Sequence, residues 1–597
     1  MVILGIHDGH NATAALMVNG SIVASASEER FSRVKNDICH PYHAIDYVLK
    51  QAGITNSDID KVYIATKETD PIVVKTKRES VFTVSDYVNE MHSYWKPLFY
   101  ENRETNYWEQ LVNDKRFQNY NTYYDFSFLN KAPRENWVEL FNKERVRVVC
   151  EQLNLLEGKV SFVDHHTAHA FYAYHASPHT DNEAAVIITA DSWGDGCNAT
   201  ISTICENKVH EIFRTDMFQL ARIYRWITLL LGMKPLEHEY KVMGLAPYAK
   251  EYLVAPAYSV FKETLTVDGM NFRWNQHPKD MYFYFRDKLE GMRFDGIAGG
   301  LQLWLEEMLT EWIRNILVET TTDTVYYSGG VSMNVKANKV ISELSEIRRL
   351  YVPPSGGDES LAMGAAYYGH YAGSENPVCS GSPLTNAYLG YEPSREESYV
   401  AIKELTTSCN TYEVIENPES KQIAEILKQG IVLGRCCGRM EFGARALGNR
   451  SILCDPSKAD NLQKINEKIK FRDFWMPFTP SILIECADDY LINPKSMPAD
   501  YMTIAFDSTP LARIHLKAAI HPQDFTIRPQ LVSQDSNPDY YSVINEFKKI
   551  TGIGAILNTS LNLHGMPIVC NAEDAIYTLQ HSGLDGLLLP GFLILKK

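Results

Sequence analysis

At the head of the chain, apolar positions run unbroken and then alternate with polar ones. Val2 to Ile6 reads as a buried strand, a turn follows at Asp8-Gly9, and a second strand sets off at Thr13. Asn19-Gly20 supplies the two-residue hairpin signal, since both residues accept positive φ, and Ser21 to Ala26 resumes strand chemistry. The same order returns 187 residues later. Ala185 to Ala190 is strand-like, Asp195-Gly196-Cys197-Asn198-Ala199-Thr200 matches Asp8-Gly9-His10-Asn11-Ala12-Thr13 at five of six positions, and another hairpin turns near Glu206-Asn207. A motif recurring in one strand and hairpin context predicts a duplicated unit. Two unrelated hairpins with shared turn chemistry is the competing reading.

Between these strands the period changes. Ala44, Ile45, Val48, Leu49 and Ala52 share one helix face, as do Leu301, Leu305, Met308 and Leu309. Residues 82–141 hold 16 aromatic rings in 60 positions, which marks an insertion. Local packing is the commoner fate of such rings, and a minority could line an acceptor pocket. Gly, Ser, Pro and Asn concentrate from Gly373 to Pro383, and a second break lies at Glu392 to Glu397, so a linker is expected over 373–397. Beyond it, Ile423, Ile426 and Leu427 begin a helix and Ile431 to Gly434 a strand.

Composition narrows the function classes. With 597 residues, 45% hydrophobic and 22% charged, the chain is ordinary globular material of several domains. Its 74 acidic and 58 basic side chains give a net charge of −16, which argues against a nucleic-acid partner and requires any phosphate site to be a local basic pocket. Eleven scattered cysteines without a C-x-x-C pair suit reduced thiols in the cytoplasm. No basic n-region precedes the N-terminal strand and no long apolar run exists, so neither a signal peptide nor a membrane span is expected.

The sharpest local chemistry is Asp164-His165-His166-Thr167-Ala168-His169. On a helix His165 and His169 are four apart and share a face, as two imidazoles on one metal ion must. Asp191 and Asp358, each beside glycine-containing turns, are candidates for the remaining ligands, and two His with two Asp suit a first-row divalent ion. Histidines satisfied by backbone or water are the bland alternative. Ser328-Gly329-Gly330-Val331-Ser332-Met333-Asn334 joins a strand, Thr324 to Tyr327, to a helix, a turn that suits a phosphate or ribose. Arg435, Arg439, Arg445, Arg450, Lys464, Lys468, Lys470 and Arg472 supply the basic pocket, interleaved with glycines unlike a plain charged face.

Taken in order, these motifs resemble the NodU/CmcH-type O-carbamoyltransferases from Gly5 to about Ala575. The matching segments are Asp8-Gly-His10, Glu28 to Lys35, His165/His169, Glu239 to Gly244, Ser328 to Asn338, Gly357-Asp358, Gly438 to Pro456, Lys470 to Pro480, Arg528-Pro-Gln530 and Asn558 to Asn562. The resemblance implies an α/β and α+β chain. A duplicated actin-like domain (ASKHA, tRNA threonylcarbamoyl transferase-like) would span 1–372, with the insertion at 82–141, and a YrdC-like domain would span 398–597. It implies that the second domain makes carbamoyl adenylate from carbamoyl phosphate and Mg-ATP on Arg439, Arg445, Arg450, Lys470, Arg472, Arg528, Asn558, Ser560 and Asn562. The first domain would then pass the carbamoyl group to a hydroxyl of a small-molecule natural product. There Asp8 and His10 would be catalytic, with Asp8 slightly favoured as base. A divalent metal, iron by the resemblance, would sit on His165, His169, Asp191 and Asp358, and Lys241, Gly244, Gly329, Gly330 and Asn334 would hold the nucleotide. The chain departs from the family pattern at Asn11, Ala444 and Met476.

No nucleic acid and no membrane partner are expected, and a homodimer is left open. The insertion, if acidic and aromatic, would suit a cationic acceptor. The competing functions are a tRNA-modifying or RNA-binding protein, a sugar-kinase-like phosphotransferase and a non-catalytic metal scaffold.

Overall fold

The computed structural model describes every residue except 78–80, 118–121, 180–182, 207, 374–380, 409–410 and 471–472. Asn207 of the expected hairpin, most of the Gly373–Pro383 break and Arg472 therefore lie outside the described residues. The chain divides into two compact units, Met1–Leu384 and Thr385–Lys597.

The first unit carries the repeat in its sheets. Strands β1 (Val2–His7), β2 (Thr13–Val18), β3 (Ser21–Ser27), β4 (Lys61–Ala65) and β5 (Val160–Val163) order as β3-β2-β1-β4-β5. Strands β6 (Val186–Gly194), β7 (Cys197–Cys205) and β8 (Lys208–Thr215) join β11 (Thr324–Ser328) and β12 (Arg349–Tyr351) in the order β8-β7-β6-β11-β12, with β9 (Leu265–Asp268) and β10 (Asn271–Trp274) forming a separate hairpin. In both sheets an antiparallel meander of three strands continues into parallel neighbours. The copies differ at the turn. His7 pairs with Thr13 in one, and Thr189 pairs with Thr200 in the other, but there the pairing runs on through an irregularity to Gly194 and Cys197, so the second hairpin is extended and closes on Asp195-Gly196.

Each sheet is followed by a helix, His165–His175 after β5 and Leu361–Ala372 after β12. The two helices lie against one another and are exchanged between copies: His165–His175 packs on β6 and β11, while Leu361–Ala372 packs on β1, β2 and β4. The approach is close, because a Cβ on Gly364 would stand 1.9 Å from the Ala168 carbonyl oxygen. Ten of the eleven residues of His165–His175 are buried, so its imidazoles are carried into the interior.

The aromatic insertion builds core of its own. Phe82, Tyr87, Tyr107 and Phe117 cluster with Leu229 and Phe283, and Phe126 and Phe141 with Ile72 and Val112. Lys77 is threaded through the first cluster, paired to Glu90 at 2.7 Å and lying over the rings of Phe82, Tyr87 and Trp108. This buries a long stem among rings while the charge keeps a partner. Most of the insertion is therefore packing, with Tyr124 the exception taken up below.

The second unit is built on an eight-stranded mixed sheet whose centre is Leu433–Cys436, Arg450–Cys454, Ala555–Ser560 and Thr479–Leu483. Helices Ser420–Lys428 and Pro538–Thr551 pack on each other beside it. Among the described residues no helix is long and apolar enough to cross a membrane.

Candidate active site

Four side chains converge in the first unit. Asp164 caps helix His165–His175, its carboxylate accepting from the Thr167 amide at 2.9 Å, and the four-residue spacing turns His165 and His169 to one side. His169 Nε2 lies 3.5 Å from Asp191 and 3.6 Å from Asp358, and His165 Nε2 lies 3.9 Å from Asp358. One ligand atom from each of the four falls within 4.8 Å of all the others. The far ring nitrogens are held in place: His165 Nδ1 by Thr66 Oγ1 at 3.1 Å and His169 Nδ1 by Ser328 Oγ at 3.3 Å. Both Nε2 atoms are buried without a hydrogen-bond partner. Two orphaned imidazole nitrogens facing two carboxylates fit a first-row divalent cation, with hydroxyls fixing the rings behind them. The Gly330 amide donates to Asp191 Oδ2 at 2.6 Å and orients that ligand.

Electrostatics follow from this crowding. Burial pushes the His169 imidazole down, but the carboxylates of Asp191 and Asp358, 3.5 and 3.6 Å away, outweigh it and raise the group to about 9. Asp358 is held below the usual carboxylate range, burial being overcome by His169, His165 and His7. A raised His169 stabilises the metal-free fold fully below about pH 6.5, and that contribution disappears as pH rises through about 9. A metal must displace this proton. Its affinity for the apoprotein is therefore expected to rise by about tenfold per pH unit between about 6.5 and 9 and then level off, as measured by competition with a chromophoric chelator. A pH-independent affinity over that span would exclude His169 as a ligand.

Beside the quartet lies Asp8, and its surroundings change its expected role. Arg145 grips it with two bonds, Nε to Oδ2 at 2.8 Å and Nη2 to Oδ1 at 2.7 Å, and the Tyr124 hydroxyl donates to Oδ2 at 2.6 Å. Burial raises the Asp8 carboxyl, but the Arg145 charge and these bonds prevail and hold it low. A carboxylate so occupied is a weak proton acceptor. Arg145 also reaches the Thr66 carbonyl at 2.8 Å and the Ala65 carbonyl at 3.1 Å. Thr66 has φ of 72°, a left-handed conformation unusual for a β-branched residue, and it supplies the hydroxyl behind His165.

Sequence reasoning missed Arg145, Tyr124, Thr66 and His7. For Arg145 a signal was present: Phe141, Arg145 and Val149 share one helix stripe, so an arginine stands on an apolar face. His7, the last residue of β1, is 2% exposed and neither ring nitrogen has a hydrogen-bond partner. Burial lowers it to about 4, against the pull of Asp358 and Asp8.

The expected nucleotide residues are only partly assembled. Gly329 has φ of 95°, and a Cβ there would meet the Ala190 carbonyl oxygen at 2.2 Å, so the turn needs glycine for packing. The Gly330 amide is committed to Asp191 as described. Asn334 caps helix Val335–Glu343 through the Ala337 amide at 3.0 Å and exchanges two bonds with Gln302, a structural use. Lys241 and Gly244 lie on the short helix Glu239–Leu245, where Gly244 is buried.

In the second unit, the loop 438–449 is organised by Glu441, whose Oε1 accepts from the amides of Leu447, Asn449 and Arg450 at 2.6, 3.2 and 3.1 Å. Lys470 meets Ser560 and Asn562 as expected, with Asn562 Oδ1 at 2.5 Å and Ser560 Oγ at 3.1 Å. Arg445 and Arg528 are half-buried. Arg439 donates to the Leu389 carbonyl at 2.8 Å. Two assignments need correction. Arg450 is fully buried and spends its guanidinium on the carbonyls of Cys570, Gly438, Asn449 and Tyr391, so it clamps backbone instead of facing a phosphate. Asn558 is likewise fully buried, its amide reaching the Ala446 carbonyl and Ser481. Arg472 lies outside the described residues.

Comparison with known proteins places both halves of the chain. A carbamoyltransferase N-terminus model matches residues 2–367 and a carbamoyltransferase C-terminus model matches 424–596. An uncharacterized protein of Methanocaldococcus jannaschii is 32% identical, with 100% of each chain covered. Nodulation protein NolNO of Sinorhizobium fredii is 28% identical over 98% of this chain and 79% of its own. Among solved structures, the ROK hexokinase of Thermus thermophilus matches 61% of this chain and 97% of its own at 12% identity, with a TM-score of 0.27.

Proposed function

The chain belongs to the carbamoyltransferase family, and on that premise we propose that it is an ATP-dependent O-carbamoyltransferase working at two sites. The second unit, read as a YrdC-like domain, takes carbamoyl phosphate and Mg-ATP. Water releases phosphate, the carbamate oxygen attacks the α-phosphorus of ATP, and pyrophosphate leaves. Lys470, Arg439, Arg445 and Arg528 would neutralise the phosphates there, with Ser560 and Asn562 fixing the lysine. In the first unit the hydroxyl oxygen of a small-molecule acceptor attacks the carbamoyl carbon, the bond to AMP breaks, and AMP departs with the electron pair.

The observation that carries this reading is the convergence of His165, His169, Asp191 and Asp358 beside Asp8. When bound, a divalent metal, iron by the family resemblance, offsets negative charge on the adenylate phosphate. His10 takes the hydroxyl proton, while Arg145 and Tyr124 hold Asp8 as a fixed negative charge close by. The net charge of −16 favours a small-molecule acceptor over RNA.

The test is ATP-dependent pyrophosphate release with carbamoyl phosphate and no acceptor. Release is expected to require both substances and to fall by on the order of 10²-fold in Arg445→Ala, as when one preorganised donor is removed. Release without carbamoyl phosphate, or an unaffected Arg445→Ala, would sink the two-site scheme.

A further inference from the structure

Most arginines of the first unit have a carboxylate partner: Arg145 has Asp8, Arg214 has Asp164, Arg116 has Asp86 and Arg348 has Glu183. Arg222 and Arg225 do not. They stand three residues apart on helix Leu220–Leu230, on neighbouring positions of one face, where like charges repel. Neither has an ion pair or a hydrogen bond among the described residues, and both are half-buried. The Arg225 Nε is a buried donor with no acceptor, which is an unfavourable state unless a ligand supplies one. Their close contacts are rings: Arg222 lies 5.8 Å from the Trp193 centroid and Arg225 lies 5.1 Å from that of Trp226. Burial pushes the Arg222 guanidinium down, and repulsion from Arg225 adds to it.

The pair sits close to the chemistry. Helix Leu220–Leu230 packs on β6, and Trp193 follows the ligand Asp191 by two residues on that strand with 49% of its surface exposed. The buried Glu239 carboxyl is within electrostatic reach of both Arg225 and His10. Two half-buried guanidinium groups without an ion pair, beside an exposed indole, form a receptor for an oxyanion attached to a flat or ring-shaped body.

We propose that Arg222, Arg225 and Trp193 form the acceptor subsite of the transfer centre, and that the acceptor is an anionic hydroxylated molecule, carrying a phosphate or a carboxylate. This rests on the carbamoyl-transfer reading for the word acceptor. It reverses the cationic acceptor expected from an aromatic insertion, whose rings are spent on core.

Binding to the full-length protein by isothermal titration, with glucose 1-phosphate, glucuronate, glucose and glucosamine as probes, tests the subsite. One of the two anionic sugars is expected to bind well ahead of glucose and glucosamine, and which one does so separates phosphate from carboxylate. Arg222→Gln and Arg225→Gln are each expected to weaken that binding by at least about tenfold, the cost of a charge-assisted hydrogen bond. Bound metal and the thermal midpoint serve as fold controls. Preference for glucose or glucosamine, or anion affinity within twofold of wild type in both variants, overturns the proposal. Loss of AMP affinity in the variants also overturns it, by giving the pair to the nucleotide. Intact anion binding with no carbamate formed on any acceptor would instead refute the transfer reading.

Discussion

Replacing His169 by alanine is expected, on the proposed two-site scheme, to abolish metal binding and carbamoyl transfer while pyrophosphate release from ATP and carbamoyl phosphate continues. His169 has the shortest approaches in the quartet, 3.5 Å to Asp191 and 3.6 Å to Asp358, so its loss leaves two carboxylates facing each other across an open space. Asp358→Asn should act in the same direction, because a neutral amide is a poor partner for a divalent cation. A Lewis acid contributes several kcal/mol to a phosphate-leaving step, so transfer is expected to fall by on the order of 10³-fold. Metal content by mass spectrometry and the two half-reactions measured separately check this. Loss of both half-reactions together would count against separate sites.

Arg145→Met is expected to be the most damaging single change to the stability of the first unit. It strands the Asp8 carboxylate, whose side chain is 1% exposed, without its bidentate partner. Breaking a buried pair on one side costs about 3–5 kcal/mol, because the remaining charge stays desolvated. Asp8→Asn in the same background should return much of that loss, since the charge is then gone, and the coupling between the two sites is what a double-mutant cycle reads. Calorimetry of the full-length variants gives the result, the unfolding transition of the first unit being the one that shifts. Equal stability of Arg145→Met and Arg145→Met/Asp8→Asn would mean that Asp8 is already neutral in the folded protein. The pH dependence has a matching sign. The lowered Asp8 carboxyl adds stability above its unfolded value, and that contribution is lost as pH falls through the folded one.

Local patterns made the convergence of two histidines and two aspartates readable in the sequence. The spacing of His165 and His169 on a helix and the glycines beside Asp191 and Asp358 were enough to name all four, and the fold brings them together. Partnerships between distant segments were not readable. Arg145 is 137 residues from Asp8, and only the folded sheet order puts one on the other. The internal repeat was half right for a similar reason. It located two equivalent sheets, but it aligned Asp8 with Asp195, which stands at the tip of a hairpin that extends beyond its counterpart. There Asp195 holds the backbone amides of Lys67, Glu68 and His165 and serves as a brace. In the second unit, Arg450 looked like a phosphate ligand because arginine among glycines is ambiguous. Only its burial among four carbonyls shows that its donors are spent on the backbone. The unpaired state of Arg222 and Arg225 is invisible in sequence altogether, since it depends on which carboxylates the fold brings within ion-pair distance.

The exchanged helices bear on how this unit can be cut. His165 and His169 ride the helix that follows the first sheet, and Asp358 stands at the start of the helix that follows the second. Each helix covers the other copy's sheet. A polypeptide holding one copy alone would leave its sheet bare and its helix without a bed, and it could close both only by trading helices with a second molecule. For the same reason a cleavage between His175 and Val186 should release no folded half, only a nicked protein whose two pieces stay together.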